Sequence, residues 1–276
     1  MAESTVIFAS CAGTHVGMRR ETNEDAYLLD DELGLWVVAD GMGGQAAGEI
    51  ASQQAVETVH EMVRAALSGA PRPGHHRHLP LPLPSKNLSR VLESAVQGAT
   101  YMVFGLAEQD RTKTGMGTTL SAMLRTPTGA ILAQVGDSRI YRVRGSIAEQ
   151  LTEDHTLINW QLQNGLITEE EAKTSRQKNV ITRAVGNKDY VQVDILEVDV
   201  QPGDVYLLCS DGLHGYLQLA EIPEIVGRGG EEAIAAFIDL ANSRGGKDNI
   251  TVAIVKALGD AQVTSSSEVP TERGLD

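Results

Sequence analysis

Cysteine, basic residues and long apolar runs are all scarce in this chain. Only two of its 276 residues are cysteine, Cys11 and Cys209, and both lie in strand-like segments. A disulfide is therefore not expected, and both residues are predicted to be buried, reduced thiols. Lysine and arginine together number 23 against 37 acidic residues, which gives a formal net charge of -14. This negative charge argues against nucleic acid or an anionic membrane as the main partner.

Signals for membrane insertion, export and two common enzyme classes are also missing. No apolar run approaches the roughly 20 residues that span a bilayer, and no basic segment followed by an apolar core opens the chain. A cytoplasmic protein without a membrane partner is therefore expected. The sequence contains neither Gly-x-Ser-x-Gly nor a Walker-type Gly-Lys-Ser/Thr, so neither a serine-elbow hydrolase nor a P-loop protein is indicated.

One stretch joins a short apolar run to an acid and several glycines. Residues 35–39 are apolar and predict a buried strand, and Asp40 and Gly41 follow directly. An ionised carboxylate at the end of a buried strand is costly unless it has a partner, and a bound cation is one such partner. Gly41 has no side chain, so its backbone carbonyl can approach that cation closely.

Three further aspartates lie at strand ends in the same way. Asp137 and Asp211 each follow an apolar run, and Asp248 precedes another. Together with Asp40 they indicate one shared site for hard divalent metals, because magnesium and manganese favour oxygen ligands. Two such ions can activate a water and stabilise a transition state on phosphorus. Arg20 is the natural guanidinium clamp for a phosphoryl group.

The predicted elements indicate one large domain of the α+β class. The chain is long enough to bury a substantial core. Strands are predicted at 6–11, 26–29, 35–39, 118–124, 130–135, 140–143, 147–151, 180–185, 191–198, 205–209 and 250–255. Helices are predicted at 48–67, 88–108, 220–226 and 231–243, and a capping box opens a further helix at Thr168. Strands 118–151 are expected to form an antiparallel meander, and this grouping of strands argues against a parallel, doubly wound fold.

Three segments stand apart from the predicted core. Residues 68–86 hold five of the nine prolines and three histidines, which is typical of an exposed linker and only weakly suggestive of a transition-metal site. Residues 145–180 include a polar excursion between strands, which predicts a flap over the site. Residues 259–276 are rich in Ser, Thr and Glu and predict a disordered tail after a catalytic domain that spans 1–258.

A dinucleotide-binding hypothesis rests on the same glycines as the metal site. Residues 41–46 fit G-x-G-x-x-A between a strand and a helix. Asp40 directly before the first glycine would repel a pyrophosphate, and the following helix runs into the proline-rich segment instead of a second parallel strand. The metal-site hypothesis is therefore favoured.

Six short motifs carry a resemblance to a known family. In chain order they are 20–25 (RETNED), 38–44 (VADGMGG), 115–119 (GMGTT), 135–139 (VGDSR), 210–213 (SDGL) and 248–251 (DNIT). This ordered set resembles the metal-dependent protein phosphatases of the protein phosphatase 2C type, and the bacterial members are nearest in pattern. The resemblance implies a four-layer α-β-β-α sandwich, in which two antiparallel sheets are flanked by helices. It also implies a binuclear Mn/Mg centre at one end of the sandwich.

The resemblance assigns the metal ligands residue by residue. Asp40 would bridge the two metals, and the Gly41 carbonyl would bind one of them. Asp211 and Asp248 would complete the other, and Asp25 would act mainly through bound water.

The resemblance also implies a third metal and a phosphate clamp, and the chain departs from the family at one position. Asp137 would serve a third, weaker metal, and Arg20 would hold the substrate phosphate. Many bacterial relatives have histidine after DGMGG, where this chain has Gln45. Glutamine cannot protonate a leaving group, and general acid help is typically worth about 10²–10⁴-fold in rate.

These inferences predict a protein serine/threonine phosphatase that works by direct attack of a metal-activated water. The family resemblance implies phosphorylated proteins as partners, among them a cognate serine/threonine kinase and its substrates. The enzyme is expected to be monomeric and cytoplasmic. The alternative, which Gln45 motivates, is a catalytically attenuated protein of the same fold that binds phosphoproteins as a regulator.

Overall fold

The computed structural model describes residues 6–43, 46–68, 85–175, 177 and 179–259. The strands are β1 (Ile7–His15), β2 (Asp25–Asp30), β3 (Leu35–Met42), β4 (Gly117–Thr118), β5 (Leu120–Arg125), β6 (Gly129–Val135), β7 (Arg139–Arg144), β8 (Ile147–Gln150), β9 (Asp194–Asp199), β10 (Val205–Cys209) and β11 (Ile250–Leu258). The helices are α1 (Ala46–Leu67), α2 (Ser85–Gln109), α3 (Leu157–Gln163), α4 (Glu169–Thr174), α5 (Asp211–His214), α6 (Ile222–Val226) and α7 (Gly230–Ser243).

The strands form two antiparallel sheets, which lie face to face. One sheet has the order β1-β11-β10-β7-β8, and the other has the order β2-β3-β5-β6-β9, with β4 paired to β3. Helices α1 and α2 cover the outer face of the second sheet, while α6 and α7 cover the outer face of the first. A third apolar cluster, which includes Phe8, Trp36 and Tyr206, fills the space between the sheets. The predicted four-layer α-β-β-α sandwich is confirmed.

Strand β3 shows why its sequence is apolar at every position. Successive side chains of a strand point to opposite faces of the sheet. Leu35, Val37 and Ala39 therefore pack under α1 and α2, whereas Trp36 and Val38 pack between the sheets. Both faces of the strand are buried, so the apolar run is continuous and does not alternate with polar residues.

Two predictions for the central region are wrong. Residues 118–151 do not form one meander, because β6 belongs to one sheet and β7 to the other. The chain crosses between the sheets at Gly136, whose φ of 97° lies in the left-handed region that glycine adopts readily. The predicted strand 118–124 is also divided, into β4 and β5 with Thr119 between them.

The predicted strand 180–185 is absent from the described structure, despite its β-branched residues. This segment makes only two isolated bridges, Thr118 to Val185 and Thr156 to Ile181. Thr182 instead directs its backbone N–H and its hydroxyl to the carbonyl oxygen of His155, at 2.8 and 3.0 Å. Tertiary hydrogen bonds thus replace a strand ladder here.

Several element boundaries also differ from the predicted ones. The strand predicted at 191–198 begins only at Asp194, and the short helix α5 was not predicted. Helix α2 begins at Ser85, so the last two residues of the predicted 68–86 insertion are helical. The capping box at Thr168 is confirmed, since its hydroxyl accepts from Glu171 N–H and the Glu171 carboxylate accepts from Thr168 N–H.

The remaining predictions concern cysteines, membranes and segments beyond the described residues. Both cysteines are free thiols as predicted; Cys209 is buried, whereas Cys11 is only partly buried. No helix within the described ranges is long and apolar enough to cross a membrane. Most of the proline-rich segment, all of the tail after Gly259, and Gln45 lie outside the described residues.

Candidate metal centre

Five aspartates meet at one end of the sandwich because the ends of several strands lie together there. Asp25 opens β2 directly opposite Asp40 near the end of β3. Asp211 follows β10, Asp248 precedes β11, and Asp137 lies in the crossing between β6 and β7. Both sheets therefore contribute carboxylates to the same place.

These side chains surround an open cleft of about 320 Å³. Its lining comprises Arg20, Glu24, Asp40, Gly41, Met42, Gly43, Asp137, Asn179, Ile181, Asp211 and Asp248. Six of the seven site residues predicted from sequence line it, and Asp25, the seventh, lies beside Asp40 in the neighbouring strand. The structure thus brings the predicted set together, while the role of each member as a ligand stays a prediction.

The carboxylates are buried next to one another, and this disfavours their charged forms. Burial, with the neighbouring aspartates, raises the pKa of Asp40 well above its usual range and that of Asp25 to about 7. Burial and the nearby Asp211 raise the pKa of Asp137 to about 7. The pKa of Asp211 is raised for the same reasons, burial first and then Asp248. Such a cluster attracts positive charge.

Two buried oxygen atoms identify where a cation fits. Asp25 Oδ1 and Asp211 Oδ1 are inaccessible to solvent and have no hydrogen-bond partner among the described residues, which is unusual for buried polar atoms. Oxygen donors of this kind are the ligands that magnesium and manganese prefer. Within the described ranges, no three acidic, histidine or cysteine side chains already surround one point as a finished cage. The donor chemistry fits hard divalent ions, and ion binding requires the carboxylates to turn toward them.

Arg20 lies at the rim of the cleft and is paired with one of the aspartates. Its guanidinium donates to Asp248 Oδ2 at 2.7 Å, and half of its side chain is exposed. This hydrogen bond raises the pKa of Arg20 further. A charged, half-exposed guanidinium is thereby held at the entrance, where an anionic ligand can reach it.

The segment that carries Arg20 and Asp25 is held by Asn249. The Asn249 side-chain amide donates to the carbonyl oxygens of Val16 and Thr22, at 3.0 and 2.9 Å. Its Oδ1 accepts from the N–H of Glu24 at 2.8 Å. Three hydrogen bonds from one side chain thus fix the path of residues 16–24 against the start of β11.

Hydroxyl groups connect the aspartates behind the cleft. Thr119 Oγ1 accepts from the N–H of Asp40 at 2.9 Å and lies 2.7 Å from Ser138 Oγ. Ser210 Oγ donates to Asp25 Oδ2 at 2.9 Å and accepts from the N–H of Thr251 at 3.0 Å. The sequence alone predicts no role for the two serines, and Thr119 falls within a predicted strand. The sequence gives one indication of a role for the serines, which is their position. Ser138 directly follows Asp137, and Ser210 directly precedes Asp211.

Two histidines hold the crossing segment that carries Asp137. His155 Nδ1 accepts from the backbone N–H of Gly136 at 3.1 Å, and the backbone N–H of His155 donates to the Gly136 carbonyl oxygen at 2.9 Å. His214 Nε2 donates to the carbonyl oxygen of Asp137 at 2.8 Å. Burial lowers the pKa of both imidazoles, that of His214 to about 4. Both are therefore neutral near pH 7, which lets His155 Nδ1 accept the hydrogen bond from Gly136.

Gly41 is needed for close packing at the cleft. A Cβ atom there would overlap the carbonyl oxygen of Gly48 and lie 2.5 Å from that of Glu24. The N–H of Gly41 also donates to the Glu24 carbonyl at 3.1 Å. Only glycine lets the start of α1 and the residue before β2 come this close to β3.

Comparison with known proteins identifies the family. The model of the family described as protein phosphatase 2C matches residues 12–253. The serine/threonine phosphatase stp of Listeria innocua is 36% identical over 248 residues, which cover 88% of this chain and 93% of that protein.

Solved structures agree with this sequence match. The serine/threonine phosphatase PstP/Ppp of Mycobacterium tuberculosis superposes with a TM-score of 0.78 at 31% identity and covers 92% of this chain and 99% of its own. The catalytic domain of a PstP phosphatase in complex with two manganese ions gives a TM-score of 0.75 at 30% identity, covering 92% of this chain and all of its own. The chain therefore belongs to the protein phosphatase 2C family and is a serine/threonine protein phosphatase.

Proposed function

We propose that this phosphatase hydrolyses phosphoserine and phosphothreonine in proteins by direct attack of water, at a pair of Mn²⁺ or Mg²⁺ ions in the cleft between its two sheets. The observation that carries this proposal is the group of five aspartates at one end of the sandwich, four of them with clearly raised pKa values. Such a group is stable in its ionised form only with cations among the carboxylates.

The ligand roles in this proposal follow the position of each residue in the cleft. Asp40 would bridge the two ions, with the Gly41 carbonyl on one of them and Asp211 and Asp248 on the other. Asp25, which lies behind Asp40, would act through water. When bound, two such ions supply a nucleophile at neutral pH by lowering the pKa of water, and they neutralise charge on the phosphoryl group.

The outer wall of the cleft suits a third ion and the substrate phosphate. Asp137 lines the cleft next to Asp211 and would hold a third, weaker ion. Arg20 would bind phosphate oxygens, because its exposed guanidinium can turn from Asp248 to an incoming anion. Guanidinium binds phosphate through two parallel hydrogen bonds, so it would orient the phosphoryl group as well as attract it.

The leaving-group oxygen must also receive a proton. Among the described residues that line the cleft there is no histidine, and the glutamine at position 45 is not an acid. We expect water to supply this proton, at a rate below that of an enzyme with a positioned general acid, whose help is worth about 10²–10⁴-fold.

The comparisons favour an active enzyme over the regulator hypothesis, since the similar proteins are named as phosphatases. Phosphorylated proteins are therefore the substrates. A cognate serine/threonine kinase as the functional counterpart, which the family resemblance supports, completes the proposal together with a monomeric state and a cytoplasmic location.

Hydrolysis of p-nitrophenyl phosphate and of a phosphothreonine peptide tests the proposal. Both are assayed with Mn²⁺, Mg²⁺ or EDTA for the wild-type chain and for Asp40→Ala. The proposal predicts turnover that requires metal and that falls by at least about 100-fold in the variant, because an ion that stabilises the transition state contributes several kcal/mol. Turnover that survives EDTA, or that Asp40→Ala leaves intact, would contradict the metal mechanism. A folded wild-type chain without turnover in any metal would support the regulator hypothesis instead.

A further inference from the structure

A second cavity opens directly beside the proposed catalytic cleft. It has a volume of about 360 Å³ and shares Asp137, Asn179 and Asp211 with the cleft. Its far wall is formed by α3 and by the residues around His214 at the end of α5. The two spaces therefore adjoin each other, and the second is within the size range of small-ligand pockets, roughly 300–1,000 Å³.

The charged groups in the wall of this cavity are already paired with each other. Arg139 donates through Nε and NH2 to the two carboxylate oxygens of Asp154, at 2.8 and 2.6 Å. Its NH1 donates to the Tyr141 hydroxyl at 3.0 Å. This bidentate pair neutralises the guanidinium with the carboxylate, so a ligand meets an ion pair in this part of the wall and not a lone charge.

The neighbouring polar groups are engaged in the same way. His214 Nε2 donates to the Asp137 carbonyl, as described above, and the Asn159 side-chain amide donates to the carbonyl oxygen of Asp154 at 2.9 Å. Thr156 Oγ1 accepts from the N–H of Asn159 at 3.2 Å, as the N-cap of α3. Apart from Asn179 and the carboxylates of Asp137 and Asp211, each polar side chain of the wall is thus engaged in at least one hydrogen bond within the protein.

Two aliphatic side chains of α3 form the apolar part of the cavity wall. Ile158 and Leu162 are half-buried and both line the cavity. They lie four residues apart on α3, which places them on the same face of that helix. Asn179 stands between the cavity and the cleft, and its side chain forms no hydrogen bond with another described residue. It is positioned to bond a peptide group that passes from one space to the other.

We propose that this cavity receives an apolar aliphatic side chain of a residue that flanks the phosphoserine or phosphothreonine of the substrate, with Ile158 and Leu162 as its contacts. The proposal rests on the proposed function, which places the phosphate in the adjoining cleft. Consecutive residues of an extended peptide lie only about 3.3–3.6 Å apart, so a residue one or two positions from the phosphoresidue reaches the cavity.

The same wall disfavours charged side chains in this position. A buried charge needs a partner, and Asp154 and Arg139 are already paired. Asp137 and Asp211 would be occupied by metal ions under the proposed function. Substrate preference should therefore follow the order leucine, alanine, and then lysine or aspartate.

A series of phosphothreonine peptides tests this assignment. All flanking residues are alanine, and single positions from two before to two after the phosphothreonine are replaced in turn by leucine, lysine or aspartate. We expect leucine at one position to raise kcat/KM by about 10-fold over alanine, chiefly through KM, because the gain is a binding contact that persists in the transition state. In Leu162→Ala and Ile158→Ala, this leucine-to-alanine ratio should fall below about 3.

Leu166→Ala is the matched control, because Leu166 is 60% exposed on the same flap and does not line the cavity. It should keep both the p-nitrophenyl phosphate activity and the wild-type ratio. p-Nitrophenyl phosphate has no flanking residue that could enter the cavity. The peptide rate of each variant is therefore divided by its rate with p-nitrophenyl phosphate. No preference for leucine at any position, a preference for a charged residue, or an unchanged ratio in both cavity variants would overturn the proposal.

Peptide binding distinguishes this inference from the proposed function. Fluorophore-labelled leucine and alanine peptides are titrated against Asp40→Asn, with and without Leu162→Ala in the same chain. If the leucine peptide binds more tightly than the alanine peptide, and Leu162→Ala removes this difference, the cavity assignment is supported even when the wild-type chain shows no turnover. Active wild-type enzyme with equal affinity for both peptides would overturn the cavity assignment and leave the phosphatase function intact.

Discussion

Asp25 and Asp137 are carboxyl groups whose burial raises the pKa to about 7, against a usual value of 3.8. Without a cation, these two groups therefore bind more protons in the folded chain than in the unfolded chain between pH 3.8 and about pH 7. Stability falls with rising pH wherever the native state holds more protons. Carboxyls with a lowered pKa, such as Glu221 at about 2, are ionised in both states above pH 5 and do not change this slope. His155 and His214, whose pKa values are lowered by burial, oppose the decline below about pH 6.5, but the four aspartates with raised pKa values outnumber them.

The first prediction concerns pH and metal removal. In EDTA, the midpoint of thermal unfolding should fall as the pH rises from 5 to 8, and Asp137→Asn should flatten this decline. Mn²⁺ should stabilise the wild-type chain more at pH 8 than at pH 5, since the carboxylates compete less with protons there. The control is Asp189→Asn, an exposed aspartate that does not line the cleft. A midpoint that rises over this range, or equal slopes for wild type and Asp137→Asn, would show that the carboxylate cluster is wrongly described.

The second prediction concerns Asn249, which fixes the segment carrying Arg20. Asn249→Asp keeps the shape of the side chain but replaces its two donated hydrogen bonds, to Val16 and Thr22, with contacts between oxygen atoms. Leaving buried acceptors unpaired costs about 1–3 kcal/mol. We expect the thermal midpoint to fall and KM for p-nitrophenyl phosphate to rise by about 10-fold, because Arg20 loses its fixed position.

Asn187→Asp is the control for this change, since it makes the same substitution at an exposed site that does not line the cleft. A variant that loses stability but keeps the wild-type KM would show that Asn249 supports the fold without positioning the phosphate clamp. Restoration of the wild-type KM at high salt would instead indicate an effect of the added charge.

At the scale of elements, the contact between α1 and β3 depends on glycine. A Cβ atom on Gly41 would overlap Gly48 and crowd Glu24, and overpacking of this kind costs about 1–3 kcal/mol. The third prediction is that Gly41→Ala lowers the free energy of unfolding by this amount and also lowers metal-dependent turnover. Gly105→Ala is the control, because Gly105 lies within α2 and a Cβ atom there would meet nothing within 4 Å. It should instead add about 0.5–1 kcal/mol to the free energy of unfolding. Urea unfolding of both variants measures the difference, and a Gly41→Ala chain as stable as wild type would contradict the packing argument.

The elements that sequence predicted well are those whose pattern reports burial directly. Residues 35–39 are apolar at every position because both faces of β3 are covered, and α1 was found by its helical spacing of apolar residues. Residues 180–185 have a strand-like composition, but Thr182 bonds to His155, and the segment makes only isolated bridges at Ile181 and Val185. Composition indicates the β-propensity of a segment. Whether the segment pairs as a strand depends on which other strand lies beside it in the fold.

At the scale of the molecule, the aspartates could be predicted because each follows or precedes an apolar run. Their convergence could not be derived from any single run, since it depends on two sheets and on the crossing at Gly136. The resemblance of the ordered motifs to a family supplied that information. The supporting contacts of Thr119, His155 and Asn249 have no local pattern, because their partners are distant in sequence. The structure was needed to find them.

The central claim is that carboxylates from both sheets form one binuclear metal site, and counting bound ions tests it most directly. Metal-free chain is titrated with Mn²⁺ by calorimetry at pH 7.5, for wild type and for Asp40→Asn, with Asp189→Asn as the control. The claim predicts about two tightly bound ions per wild-type chain, a weaker third, and the loss of at least one tight ion in Asp40→Asn. A wild-type chain that binds no Mn²⁺, or an Asp40→Asn chain with unchanged stoichiometry and affinity, would contradict it.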